Sequence, residues 1–211
     1  MAEPPQRKSE GSTRELDRIV FFSDAVFAIA ITLLVLSINV PQISSARVAA
    51  ELPRQLLDLW RNLFSYVLSF LVIFSYWIAH HSIFSLIRGY DRGLMWLNGL
   101  FLMFIAFLPF PSALLGEYGG QRLVIALYAG SLAVTRLLLS AVWWYASSGH
   151  RLIDSNLNPG LIRLYHIRGV VIPSIFLISI GISFFSVRGA TYIWGLLVVG
   201  DFVALRILRR R

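Results

Sequence analysis

The chain has 211 residues, of which 57% are hydrophobic and 14% are charged, and its mean hydropathy is +0.70. This composition is too apolar for an ordinary soluble domain and predicts an integral membrane protein. The absence of cysteine excludes disulfides, thiolate metal sites and cysteine nucleophiles, while the net charge of +8 raises the possibility of nucleic-acid binding.

The first 17 residues are hydrophilic and mix acidic with basic side chains, without the short charged start and cleavage site of a signal peptide. Pro4, Pro5 and Gly11 predict that most of this tail is disordered. We therefore expect a cytoplasmic N-terminal tail at 1–17, one membrane domain at 18–208, and a basic cytoplasmic C-terminus at 209–211.

Six apolar segments each have about 20 residues, the length that an α-helix needs to cross a bilayer. They run approximately from Arg18 to Val40, Leu63 to Leu86, Leu94 to Leu115, Leu123 to Tyr145, Ile162 to Phe185 and Tyr192 to Leu208. The sequence therefore predicts an all-α membrane protein with six transmembrane helices.

The basic residues are distributed unequally between the two sides of these segments. Of the 19 Lys and Arg residues, thirteen lie on the side that both termini share, five lie on the other side, and Arg136 lies inside the fourth segment. The positive-inside rule then predicts that both termini are cytoplasmic. This placement explains the net charge by topology and lipid anchoring, and it argues against nucleic-acid binding.

The first segment opens with a polar cluster of Arg18, Ser23 and Asp24 and carries no further charge. An acidic side chain that faces lipid near the bilayer centre costs roughly 2.5 to 3.5 kcal/mol on insertion scales. We therefore expect Asp24 to face protein or water.

A helical wheel separates this carboxylate from an apolar stripe. With Ile29 at zero and about 100° per residue, Leu33 falls at about 40°, Leu36 at about −20° and Thr32 at about −60°. Asp24 falls at about −140° and points into the subunit's own bundle if the stripe faces an axis. From periodicity alone, such a stripe is most often ordinary helix packing.

The loop from Pro41 to Asp58 follows this segment and carries apolar residues at helical spacing. It is predicted to form an amphipathic helix that lies on the outer face of the membrane.

Depth along the alternating segments brings four polar residues to one level: Asp24, His80, His81 and Asn98. Trp77 lies one turn before His81 and adds an indole donor. Hydrogen bonds from these neighbours and Ser23 to the carboxylate would lock the first three helices together. Adjacent histidines diverge by about 100° on a helix and are poor joint metal ligands, so no metal site is predicted.

Two questions stay open at this point. Arg136 is a rival partner for Asp24, because it is the only cation well inside an apolar segment. Asp24 is either a structural anchor or an ion or proton site, and Asp201 in the sixth segment is either a buried polar contact or a proton site.

The segment from Arg18 to Leu36, RIVFFSDAVFAIAITLLVL, resembles the first-helix signature of the transmembrane protein 175 family, which contains the lysosomal potassium channel and its prokaryotic relatives. The resemblance extends to WIAHH at Trp77 to His81, to Asn98, and to the FLPFPSALL segment that ends at Leu115. It covers roughly the first half of the chain by motif. A single six-helix unit looks like a prokaryotic member and implies a homotetramer around a central pore.

In that family the first helix of each subunit lines the pore, and the resemblance carries the narrowest rings onto Ile29, Leu33 and Leu36, with Thr32 as a nearby polar layer. The motif residues Arg18, Phe22, Ser23 and Asp24 are implied to hold the helices together. The TVGYG sequence of the familiar carbonyl filter does not occur in the chain.

The resemblance implies a potassium-selective leak channel of a prokaryotic plasma membrane, with K⁺ as permeant ion and no cofactor. The alternative is a proton- or cation-coupled secondary transporter that uses Asp24, His80 or Asp201, although no internal repeat supports a carrier. No hydrolase or metalloprotease motif occurs, so the chain is not expected to be an enzyme.

Overall fold

The computed structural model describes residues 5–186, 189–191 and 193–195. The α-helices of this part of the chain are α1 Pro5–Leu33, α2 Val48–Asp58, α3 Trp60–Phe84, α4 Arg92–Phe107, α5 Pro109–Tyr118, α6 Arg122–Ser147 and α7 Pro159–Ser183. Short 3₁₀ turns follow α1, precede α2 and follow α6, at Leu34–Ser37, Ser45–Arg47 and Ser148–His150.

Five helical segments of the described chain are long and apolar enough to cross a membrane: Arg14–Ser37, Trp60–Phe84, Arg92–Tyr118, Arg122–His150 and Pro159–Ser183. They correspond to the first five predicted segments and confirm the all-α membrane class. The sixth predicted segment, Tyr192 to Leu208, lies outside the described residues except at 193–195, and Asp201 lies outside them too.

Helix α1 begins earlier than the sequence predicts. It starts at Pro5, so residues 5–17 are helical rather than disordered. Proline fits the first position of a helix because its missing N–H would have no partner there. Between Pro5 and Leu33 the chain has no further proline and a single glycine, Gly11, so no strong helix breaker separates the apolar segment from the polar tail.

Proline has different effects in the third and fifth segments. Pro109 has no backbone N–H to donate, and the third segment is interrupted at Leu108 and continues as α5. Pro173 lies inside α7 without ending it. Neighbouring helices in a membrane bundle can supply the lost backbone contact, which explains why an internal proline is tolerated.

A continuous set of helix contacts forms the bundle. Helix α1 packs against α3 and α4, α3 packs against α5, α4 packs against α6, and α6 packs against α7. Gly169 permits the contact between α6 and α7, because a Cβ at this position would lie 2.9 Å from the Ser140 hydroxyl oxygen. The same hydroxyl donates to the Gly169 carbonyl oxygen at 3.1 Å. Small residues of this kind let membrane helices approach closely.

Helix α2 lies in the loop that the sequence predicts to be amphipathic. It has no buried residue. Leu56 and Leu57 are exposed, whereas Glu51 and Gln55 are half-buried, so the apolar side of α2 faces away from the subunit's own helices. Its location on the outer membrane surface stays a prediction.

Asp91 joins the loop before α4 to the loop after α6. It caps α4 by accepting from the Leu94 backbone N–H at 2.8 Å, and it accepts from the Tyr145 hydroxyl at 2.9 Å and from Arg151 at 3.0 Å. The backbone hydrogen bond from Leu94 is the largest cause that lowers the pKa of Asp91 below its ordinary value. Because α4 also carries Asn98, this contact helps to set the height of α4 in the bundle.

Candidate functional site

The apolar stripe of α1 is exposed in the subunit. Ile29 is 59% exposed, Leu33 43% and Leu36 72%. In the apolar part of this span only 22% of the residues are buried, compared with 61% in the span that contains α6. The stripe is therefore an apolar surface that the subunit's own helices leave uncovered.

The end of the stripe departs from ideal α-helical geometry. Leu36 lies in the 3₁₀ turn Leu34–Ser37, where each residue rotates by about 120° rather than 100°. It remains exposed, whereas its neighbour Leu34 is fully buried. Thr32 is also exposed, and its hydroxyl donates to the Ile29 carbonyl oxygen at 2.9 Å. The threonine oxygen keeps its lone pairs free to accept.

Behind the stripe, α1 and α3 are joined by a charged hydrogen bond. The indole Nε1 of Trp77 donates to Oδ1 of Asp24 at 2.8 Å, and both side chains are half-buried. Hydrogen bonds to an ionised acceptor are roughly twice as strong as neutral ones. Asp24 therefore contacts a helix of its own subunit and points away from the stripe, in agreement with the helical wheel.

A second chain of hydrogen bonds crosses three helices. His80 Nε2 on α3 lies 3.0 Å from Asn98 Oδ1 on α4, and Asn98 Nδ2 donates to Ser23 Oγ on α1 at 3.0 Å. Ser23 in turn donates to the Ile19 carbonyl oxygen at 2.8 Å. The first three of these side chains are buried. The sequence places them at the right depth but gives the wrong connection, because Asn98 bonds to both His80 and Ser23 rather than to Asp24.

Aromatic rings surround His80, although the sequence prediction does not include them. The ring centroid of Phe84 lies 4.2 Å away, that of Phe101 5.6 Å and that of Phe27 5.7 Å. A helical-period search around His80 would have found Phe84 at i+4, whereas the other two come from different helices. His81, by contrast, is exposed and stacks on Trp77 at 5.7 Å.

Several predicted site residues do not join this cluster. Arg18 is exposed and pairs with Glu15 at 3.1 Å, and Phe22 is 64% exposed. Arg136 is buried on α6, whose neighbours are α3, α4, α5 and α7, and in the described part of the chain Trp77 is the residue that bonds to Asp24. The rival pairing of Arg136 with Asp24 stays a prediction. No group of three His, Asp or Glu side chains suited to a metal ion occurs among the described residues.

A crevice of about 300 Å³ lies between α1 and α4, on the N-terminal side of the uncovered stripe. Glu15, Arg18 and Phe22 contribute its α1 wall, and Met95 and Gly99 contribute to its α4 wall. A Cβ at Gly99 would meet only open space, so this wall of the crevice is not filled by a neighbouring side chain.

Comparison with known proteins gives concordant results. The sequence model of the family described as the endosomal/lysosomal potassium channel TMEM175 matches residues 18–109. A potassium channel of Chamaesiphon minutus is 36% identical over 194 residues, which cover 89% of this chain and 90% of that protein. A potassium channel of Streptomyces collinus is 36% identical over 176 residues, which cover 82% and 84%.

A solved structure agrees with the fold. The crystal structure described as that of a lysosomal potassium-selective channel TMEM175 homologue from Chamaesiphon minutus has a TM-score of 0.79 and 34% sequence identity to this chain. The match covers 92% of this chain and 98% of that one.

Proposed function

Because this chain belongs to the TMEM175 family, we propose that it forms a channel that conducts potassium ions across a membrane. The family is one of ion channels, in agreement with the expectation that the chain is not an enzyme. The single observation on the molecule that carries the proposal is the uncovered stripe of Ile29, Leu33 and Leu36 on α1.

Four copies of this stripe around an axis would form successive apolar rings. Such rings gate by dewetting when they are narrow, and when slightly wider they favour the ion that gives up its water more cheaply. Potassium is hydrated less strongly than sodium. The chain has no TVGYG sequence, so its selectivity has to come from the width of these rings and from the polar groups beside them.

Thr32 is the polar group that we assign to this task. Its hydroxyl proton is engaged by the Ile29 carbonyl oxygen, which orients the oxygen as an acceptor. Four such oxygens would replace part of the water that an ion loses at the rings.

We assign the assembly to a homotetramer in a plasma membrane with both termini in the cytoplasm. The excess of basic residues on the terminal side supports the orientation. The polar cluster of Ser23, Asp24, Trp77, His80 and Asn98 acts as the support that holds α1 against α3 and α4, so that the stripe keeps a fixed direction.

Flux in proteoliposomes tests this function. The wild type should pass K⁺ in preference to Na⁺, and Ile29→Ala should raise the flux or reduce that preference. Val35→Ala is the matched control, because Val35 is 50% exposed but lies outside the stripe. Wild-type values in Ile29→Ala would remove this residue from the constriction, and a wild type that passes no K⁺ would reject the channel.

The same preparation separates a channel from a coupled transporter that uses Asp24, His80 or Asp201. A channel gives a current that reverses at the potential set by the K⁺ gradient alone. A transporter instead saturates, and its reversal potential shifts when the gradient of the coupling ion is changed.

A further inference from the structure

Arg18 and Phe22 belong to the first-helix motif, but their exposed positions are not explained by a role in holding the helices together. The Arg18 side chain is 76% exposed and Phe22 is 64% exposed. Neither joins the hydrogen bonds that link Ser23 and Asp24 to α3 and α4. Arg18 contacts Glu15, a residue of the segment that the sequence predicts to be disordered.

Helical geometry places these residues on the same face of α1 as the stripe. Helix α1 is continuous from Pro5 to Leu33, so one face can be followed along it. With Ile29 at zero, Phe22 falls at about 20°, Arg18 at about −20° and Glu15 at about 40°. At 1.5 Å per residue, Phe22 lies about 10 Å and Arg18 about 16 Å before Ile29 along the helix.

The crevice beside α1 shows that this end of the face is open. Glu15, Arg18 and Phe22 line a space of about 300 Å³ that reaches Gly99 on α4. Ala25 falls at about −40° on the same face and is exposed. Around the axis of the proposed channel, this small side chain would leave a wider space between Phe22 and the ring at Ile29.

We propose that Glu15, Arg18 and Phe22 line the N-terminal mouth of the pore, with Phe22 as an apolar ring below a charge-balanced ring of Glu15–Arg18 pairs. This inference rests on the proposed channel function. Four arginines alone would repel cations from the mouth, and the paired carboxylates offset them. The balance of the pair then sets how readily potassium enters from this side.

Substitutions that unbalance the pair test the proposal. Arg18→Gln leaves four carboxylates and Glu15→Gln leaves four guanidinium groups. Four charges about 10 Å from an axial ion, screened over about 10 Å in 0.1 M salt, change its local concentration about threefold. We expect about a threefold rise in the unitary K⁺ current from this side in Arg18→Gln, a similar fall in Glu15→Gln, and wild-type current in the double variant.

Salt and a conservative variant provide the controls. In 1 M KCl the screening length is about 3 Å, so all variants should converge on the wild-type current. Arg18→Lys keeps the charge and should match the wild type in 0.1 M KCl. If the conducting variants carry wild-type currents in both salts, the charge ring is rejected while the potassium channel itself stands.

A second measurement does not depend on the charge variants assembling. Because the chain has no cysteine, Phe22→Cys introduces a single thiol into each subunit. A charged thiol reagent applied from the N-terminal side should block or change the current of Phe22→Cys and leave the wild type unaffected. Labelling of the thiol without any change in current would place Phe22 outside the pore. A wild type without K⁺ current would instead reject the proposed function.

Discussion

Replacing Asn98 with leucine is expected to loosen α1 from α3 and α4. The amide makes two interhelical contacts, with His80 and Ser23, each at 3.0 Å. Such bonds between membrane helices contribute about 0.6 kcal/mol on average and up to about 1.7. A buried imidazole left without its partner adds about 1–3 kcal/mol, whereas Ser23 keeps its bond to the Ile19 carbonyl oxygen. We expect a loss of about 2–4 kcal/mol.

The assay is reversible unfolding in mixed detergent micelles, arranged as a double-mutant cycle with His80→Phe, which keeps the aromatic packing against Phe84 and Phe101. The cycle should give a coupling free energy of at least about 0.5 kcal/mol. Ser82→Ala is the matched control, since its hydroxyl bonds within its own helix, and it should change stability by less than about 0.5 kcal/mol. Additive effects of Asn98→Leu and His80→Phe would refute the reasoning.

Three further predictions use the same assay. Trp77→Phe keeps an aromatic ring but removes the donor to Asp24, and we expect it to cost about 1–2 kcal/mol of stability in the wild type and little when Asp24→Ala has already removed the acceptor. Gly169→Leu should separate α6 from α7, because its Cβ would overlap the Ser140 side chain. We expect the free energy of unfolding to fall by about 1–3 kcal/mol. A wild-type unfolding midpoint would contradict this. The lowered pKa of Asp91 stabilises the fold above its ordinary carboxyl pKa of about 3.9, and this contribution is lost as the pH falls through the lower folded value, so Asp91→Asn should unfold with a weaker pH dependence in that range.

The membrane class and the division of α1 into two sides follow from local pattern. Apolar length predicts the spans, and a fixed rotation per residue separates Asp24 from the stripe of Ile29, Leu33 and Leu36. Both results depend only on the residues of a single helix. They can therefore be predicted without knowing how the helices are arranged.

Partners across helices were predicted less well. Depth alone brings Asp24, Trp77, His80 and Asn98 to one level, but depth does not specify how each helix is rotated or how far apart the helices lie. In the structure, Trp77 forms the hydrogen bond to Asp24, and Asn98 forms hydrogen bonds with His80 and Ser23. The structure places Arg136 on α6, which packs against α3, α4, α5 and α7.

The sequence by itself determined that this is a helical membrane protein with an apolar stripe and a carboxylate on opposite sides of its first helix. Tertiary structure decided which side the subunit covers: Ser23 and Phe27 are buried, and Arg18, Phe22 and Ile29 are left uncovered. The physical reason is that periodicity is a property of one helix, whereas burial and hydrogen-bond partners depend on the positions of α3 and α4.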